Sequence, residues 1–363
     1  MKSEQIERRE QLGSSSPLPQ VTMQRPPLFS RMTAAVSSGV RSRGVKRFFR
    51  NPLSVTGLFL LILFVFVSVF APWLAPTPCS LLVPPDPECV SHPSQIPQDG
   101  ISQLPKPPQA DAWNTFPPDW RLHPFGITQS GYDLYYGIIW GTRTAFYVGV
   151  VVVSISLLFG LVLGSLAGYF GGWLDALLMR FVDVLLVFPS FILAIMLVVV
   201  IGEHPVWEMF GFKFTIDRLQ AAMVAIAAVN WLIYARLIRG DILASKEKEF
   251  VQAARAVGAG NARIIWRHIL PNTIYPVIVY ASLDIGSIVL NVAGLSFLGL
   301  GPEPGYADWG QLINFARQFV VQLQYWYVVI IPSLAITLFV LSWNLLGDAF
   351  RDILDPKLRG RGG

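Results

Sequence analysis

A series of apolar runs too long for a soluble core constrains this chain more than any other feature. Residues 53–75, 145–169, 178–201, 219–238, 274–299 and 327–347 each exceed the ~18 residues that a helix needs to cross a hydrocarbon core. In lipid, backbone donors and acceptors must be satisfied within the segment, so such runs fold as helices. The expected fold class is an all-α membrane protein with six transmembrane helices. Composition agrees: of 363 residues, 53% are hydrophobic and 14% charged, and the mean hydropathy is +0.50. A soluble enzyme with a large core is excluded on that balance.

The net charge of +5 raises nucleic acid as a partner, but the cations cluster beside apolar runs and are not interleaved with stacking aromatics. They orient the chain in a membrane instead. Arg41, Arg43, Lys46, Arg47 and Arg50 precede the first run. That run is too long and starts too late for a cleaved signal peptide, so it reads as a retained anchor. Arg236, Arg239, Lys246, Lys248, Arg255, Arg263 and Arg267 fill the loop after the fourth run, and Arg351, Lys357, Arg359 and Arg361 mark the tail. An even number of spans then places both termini in the cytoplasm. The resulting division is a disordered basic N-terminus (1–50), a first transmembrane helix (51–76), a Pro-rich external loop (77–143), a five-helix domain (144–350) with a cytoplasmic loop at 240–272, and a cytoplasmic tail (351–363).

Catalytic chemistry is not legible. There is no G-x-x-x-x-G-K-[ST] phosphate loop, no G-x-S-x-G and no H-E-x-x-H. The four histidines have no ligand spacing, so no metal site is expected. Cys79 and Cys89 share the Pro-rich loop, as one small disulfide or as two unpaired thiols. Asp284 and Asn291 lie within the fifth run. An intramembrane carboxylate is either part of a solute path or a group satisfied by a neighbouring helix or subunit. These absences favour a pathway driven from elsewhere, with a proton-coupled carrier and a non-transporting scaffold as the alternatives.

The stretch EFVQAARAVGAGNARIIWRHILPN, residues 249–272, departs from the lipid-adapted pattern. Phe250, Ala253, Ala254 and Val257 recur at amphipathic-helix spacing. Gly258 then allows a left-handed cap or a close backbone approach. A second piece, Asn261 to Ile269, presents Ile264, Ile265 and Ile269, and Pro271 is expected to end it. A short helical hairpin with an exposed apolar strip suits docking into a partner's groove.

Ala253, Ala254, Gly258, Leu270 and Pro271, with Glu249 nearby, resemble the EAA loop of permease subunits in ABC importers. HILPN at 268–272 is similar to the peptide and nickel branch, and Gln252 stands where the strict triplet has glutamate. GLSFLGLGPEPGYADWGQL (294–312), the tail through Asn344, Gly347, Asp348, Arg351, Asp352, Asp355 and Pro356, and HPFG (123–126) with Gly131, Asp133, Gly141 and Arg143 resemble the same family. Tyr132, Thr128 and Val292 depart from its pattern. The resemblance implies a MetI-like type I importer fold and a C-type permease of the bacterial inner membrane for short peptides or nickel chelates. It also implies a heterodimer with a second permease, an external binding protein, and two ATPase subunits that hold the ATP and Mg. In such a system Glu249, Gln252, Ala253, Ala254, Gly258, Leu270 and Pro271 make the coupling contact.

Overall fold

The computed structural model describes residues 48–76, 94–100, 104–202, 206–209 and 212–354; Cys79, Cys89, Asp355 and Pro356 lie outside them. Helix α1, Pro52–Leu74, opens with Pro52 at its first position, where a missing N–H costs nothing, and with the Asn51 side chain accepting from Leu53 N. Helix α2, Leu134–Phe170, starts well before the apolar run at 145, because Asp133 caps it by accepting from Tyr136 N at 2.6 Å.

The third run departs from the expected straight span. It forms two helices, α3 (Gly172–Leu186) and α4 (Ser190–Ile201), bent by 92° at the break. Pro189 caps α4 and disfavours helical backbone at Phe188 before it, which accounts for the position of the bend. The backbone of Val206–Met209 (β1) pairs antiparallel with Phe212–Thr215 (β2), a small hairpin that the all-helical expectation lacked. Helix α5, Arg218–Lys246, runs beyond 238; Arg236, Arg239 and Lys246, three of the charges that read as a loop, are carried on its last turns. After it come α6 (Glu249–Ala256), a helical turn at Asn261–Arg263, a π-helical turn at Ile264–Ile269, α7 (Leu270–Phe297), α8 (Trp309–Ala316) and α9 (Trp326–Leu354).

The most extensive packing joins α2 to α5, which run parallel. Gly160, Gly164 and Gly168 form a small-xxx-small stripe on α2 that lets the backbones approach. A Cβ on Gly164 would lie 2.5 Å from the Ala235 carbonyl oxygen, and one on Gly168 would lie 3.0 Å from that of Arg239. Helix α7 packs on α9, and α9 on α1, where Phe64 meets Phe339 edge-on at 5.2 Å.

At the end of the bundle away from α6, the segment 94–98 pairs with the turn at 305–307: Ile96 N donates to Gly305 O at 2.7 Å and Ala307 N to Ser94 O at 2.6 Å. Gln311 is buried beneath that turn, accepting from Gly305 N and donating to the carbonyls of Pro302 and Glu303. Asp308 caps α8 through Gln311 N at 2.9 Å, and burial pushes its carboxyl above the usual range. His123 Nδ1 meets Asp133 at 2.7 Å. Tyr132 stacks on Phe315 at 4.9 Å, Thr128 Oγ1 accepts from Tyr132 N, and Val292 is buried, so all three departures from the family pattern are absorbed by packing.

Candidate functional site

The segment 247–270 forms the hairpin expected from its spacing. Helix α5 ends at Lys246, Lys248 caps α6, and only eight residues later α6 closes. The closure is a Schellman motif: Gly258 N donates to Arg255 O at 2.9 Å and Ala259 N to Ala254 O at 3.0 Å. Gly258 takes φ +81° with no atom near a notional Cβ, so of its two readings the left-handed cap is the one realised. Gln252 Nε2 donates to Glu247 O at 3.1 Å, tying α6 back to the end of α5. A carboxylate at 252 could not donate that bond, so the departure from glutamate has a local structural consequence.

The apolar stripe divides between two faces. Ala254 is buried with Val251, whereas Phe250 is 38% and Val257 85% exposed, and Ala253, Gln252 and Glu249 are exposed with them. Periodicity identified the stripe but not which half faces inward. In the second limb Ile264, Ile265 and Ile269 are buried and Trp266 is 62% exposed, so the isoleucines seat the hairpin rather than present it. Lys248, Arg255, Arg263 and Arg267 are exposed on the same segment as Phe250, Val257 and Trp266, as are Glu247 and Glu249. Exposed apolar side chains among exposed charges suit a partner groove with an apolar floor and a polar edge.

Pro271 does not end the second limb. Leu270 is buried, Pro271 sits exposed in the first turn of α7, and helix continues from Asn261 to Phe297. The physical reason is the π-helical turn before it: Leu270 N bonds Ile265 O, five residues back, which widens the backbone where proline can neither donate nor fit a tight α-turn. The hairpin therefore joins α7 without a break.

Behind the hairpin, Arg239 forks onto Asp175 through both carboxylate oxygens, and Arg236 meets Asp183 at 2.5 Å, fastening α3 to α5. Asp284, 7% exposed, accepts from Asn230 Nδ2 at 2.6 Å and from Tyr234 Oη at 2.9 Å, both on α5. The carboxylate is thus hydrogen-bonded by a neighbouring helix. Asn291 is exposed and, with Asn230, lines a cavity of about 30 Å³ at the α3–α4 break. A larger cleft, about 610 Å³, lies at the opposite end and is lined by Arg143, Tyr147, Asp217, Leu219 and Tyr306 among others. The sequence reading missed the glycine stripe, Asn230 and Tyr234. The GLVLGSLAG spacing and a lone asparagine within a span were the available signals.

These features define a polytopic helical membrane protein that carries a capped helical hairpin with exposed apolar residues between two packed spans. The chain belongs to the ABC importer permeases known as binding-protein-dependent transport system inner membrane components, whose family model matches residues 160–360; residues 42–88 match the N-terminal transmembrane domain of oligopeptide transport permease C. It is similar to the dipeptide transport system permease protein DppC of Alkalihalophilus pseudofirmus, 36% identical over 86% of this chain and 89% of the relative. The probable D,D-dipeptide transport system permease protein DdpC of Escherichia coli is 35% identical over 86% of this chain and 90% of its own length. The glutathione transport system permease protein GsiD of Pectobacterium atrosepticum is 39% identical over 65% of this chain and 73% of its own.

Proposed function

We propose that this chain is the translocation subunit of an ATP-driven importer for short peptides, with nickel chelates as a secondary solute class. Relatives named for dipeptides, D,D-dipeptides and glutathione support the peptide class, because all three cargoes are small peptides. The subunit sits in the bacterial cytoplasmic membrane with both termini inside. It pairs with a second permease, engages two ATP-hydrolysing subunits that hold ATP and Mg, and receives solute from an external binding protein.

The observation that carries this reading is the hairpin itself: a rigidly capped apolar tip joined to α5 by a bond from Gln252 and to α7 by continuous helix. Glu249, Gln252, Ala253, Ala254, Gly258, Leu270 and Pro271 present or support the surface that meets the ATPase. Closure of the ATPases moves the hairpin, and α5 and α7 follow because the Asn230 and Tyr234 bonds to Asp284 hold them together. Asn291, at the α3–α4 break, lines the path that opens. Two alternatives predict different outcomes in one experiment, copurification followed by reconstitution with a binding protein. The importer reading expects an ATPase to copurify and uptake to need ATP but no proton gradient. Uptake driven by a proton gradient and lost in Asp284→Asn would establish a carrier instead, and assembly without uptake a scaffold.

A further inference from the structure

We infer that Tyr169 is a positioning residue that ties the docking hairpin directly to α2, adding a second route for hairpin movement to the one that runs through the packing of α2 on α5. The inference rests on the importer reading. Tyr169 is the penultimate residue of α2, which stops two residues later at Gly171, where φ is +65°. The side chain is buried in the same cluster as Val251, Ala254, Ile264 and Ile265.

Its two polar contacts fall on the two limbs of the hairpin. The phenol donates to Asn261 Oδ1 at 2.8 Å, at the first residue of the second limb. The ring faces the Arg255 guanidinium on α6, whose carbon lies 5.8 Å from the ring centroid, within cation–π range. Tyr169 thus grips the hairpin on either side of the Gly258 corner. Helix α2 is not adjacent to the hairpin in the chain, and it is packed against α5 along its glycine stripe. A hairpin displaced by a partner would pull α5 and α7 through the backbone, and α2 both through its packing on α5 and directly through this side chain. Tyr169 contributes nothing to solute or nucleotide chemistry; it sets how much of the stroke becomes movement of the bundle.

The test is the number of solute molecules moved per ATP hydrolysed, measured in proteoliposomes with the full complex, its binding protein and labelled alanyl-alanine. Tyr169→Phe keeps the ring and removes the hydrogen bond, and Asn261→Ala removes the acceptor. Each is expected to lower the ratio by about three- to tenfold, the equilibrium weight of one hydrogen bond. Tyr169→Phe should retain assembly and basal ATP hydrolysis. The double variant should be no worse than either single variant, since both remove one interaction. An unchanged ratio, multiplicative losses in the double variant, or a fall in hydrolysis matching the fall in uptake would each overturn the inference. Wild-type complex that shows no ATP-driven uptake would instead overturn the importer reading.

Discussion

Gly164→Ala is the smallest change that tests how the two central spans are held together. The added Cβ would stand 2.5 Å from Ala235 O and 3.1 Å from Ala235 Cα. Ordinary contact begins near 3.4 Å, and both opposing atoms are backbone, so no side-chain rotation relieves the overlap. Helices α2 and α5 must separate by roughly 1 Å, losing dispersion along the glycine stripe, and the overpacking cost is about 1–3 kcal/mol. Gly240→Ala supplies the control on α5 itself: nothing lies within 4 Å of its notional Cβ and its backbone is helical. There the same methyl should be neutral or stabilising by up to about 1 kcal/mol, from helix propensity alone. The helix-propensity gain is common to both glycines and cancels, so equilibrium unfolding of both variants in mixed detergent and SDS micelles should place Gly164→Ala about 1–3 kcal/mol below Gly240→Ala. Equal unfolding free energies would refute close backbone packing of α2 on α5.

Gly258→Ala should destabilise the hairpin corner by about 1 kcal/mol, because an L side chain is strained at φ +81°. Hydrogen exchange at Gly258 and Ala259, whose amides close the Schellman motif, should speed up roughly fivefold while α2 is unchanged; unaltered exchange would mean that the corner needs no left-handed residue. Asp308 makes a pH prediction. Burial raises its carboxyl above the usual 3.8, so the folded protein holds this proton to higher pH than the unfolded chain does. Its contribution to stability is complete below about 3.8 and is lost as pH rises through the raised folded value. Asp308→Asn keeps the acceptor for Gln311 N but cannot titrate, so melting temperature should depend less on pH across the acid range than in the wild type; identical slopes would remove Asp308 as the source.

The membrane class and most of the spans were legible because apolar length is a strong signal in lipid. The ends of α2 and α5 were not, and the cause is the same in both: polar residues near a span end dilute a hydropathy window even when they are structurally occupied. Asp133 is consumed in capping α2, and Arg236 and Arg239 are paired with Asp183 and Asp175. The break in α3–α4 was signalled by Pro189, but its 92° angle depends on neighbours that periodicity does not describe. Pro271 illustrates the converse, a helix breaker overridden by a π-helical turn that no local residue announces. At the hairpin, spacing located α6 and its glycine corner. Which of Phe250, Val251 and Ala254 faces inward was decided by the tertiary packing of Ile264 and Ile269, outside the reach of an eight-residue pattern.

The central claim is that the hairpin tip meets an ATP-hydrolysing partner, and disulfide crosslinking from Val257→Cys tests it most directly. Val257 is 85% exposed at the corner, and Cys79→Ser with Cys89→Ser would leave this thiol as the sole cysteine. In membranes containing the assembled complex, the account predicts a crosslink to single cysteines placed in an ATPase subunit, with none from Leu104→Cys in the loop at the opposite end. A Val257→Cys thiol that forms no such crosslink and stays equally open to maleimide with and without the ATPase would contradict it.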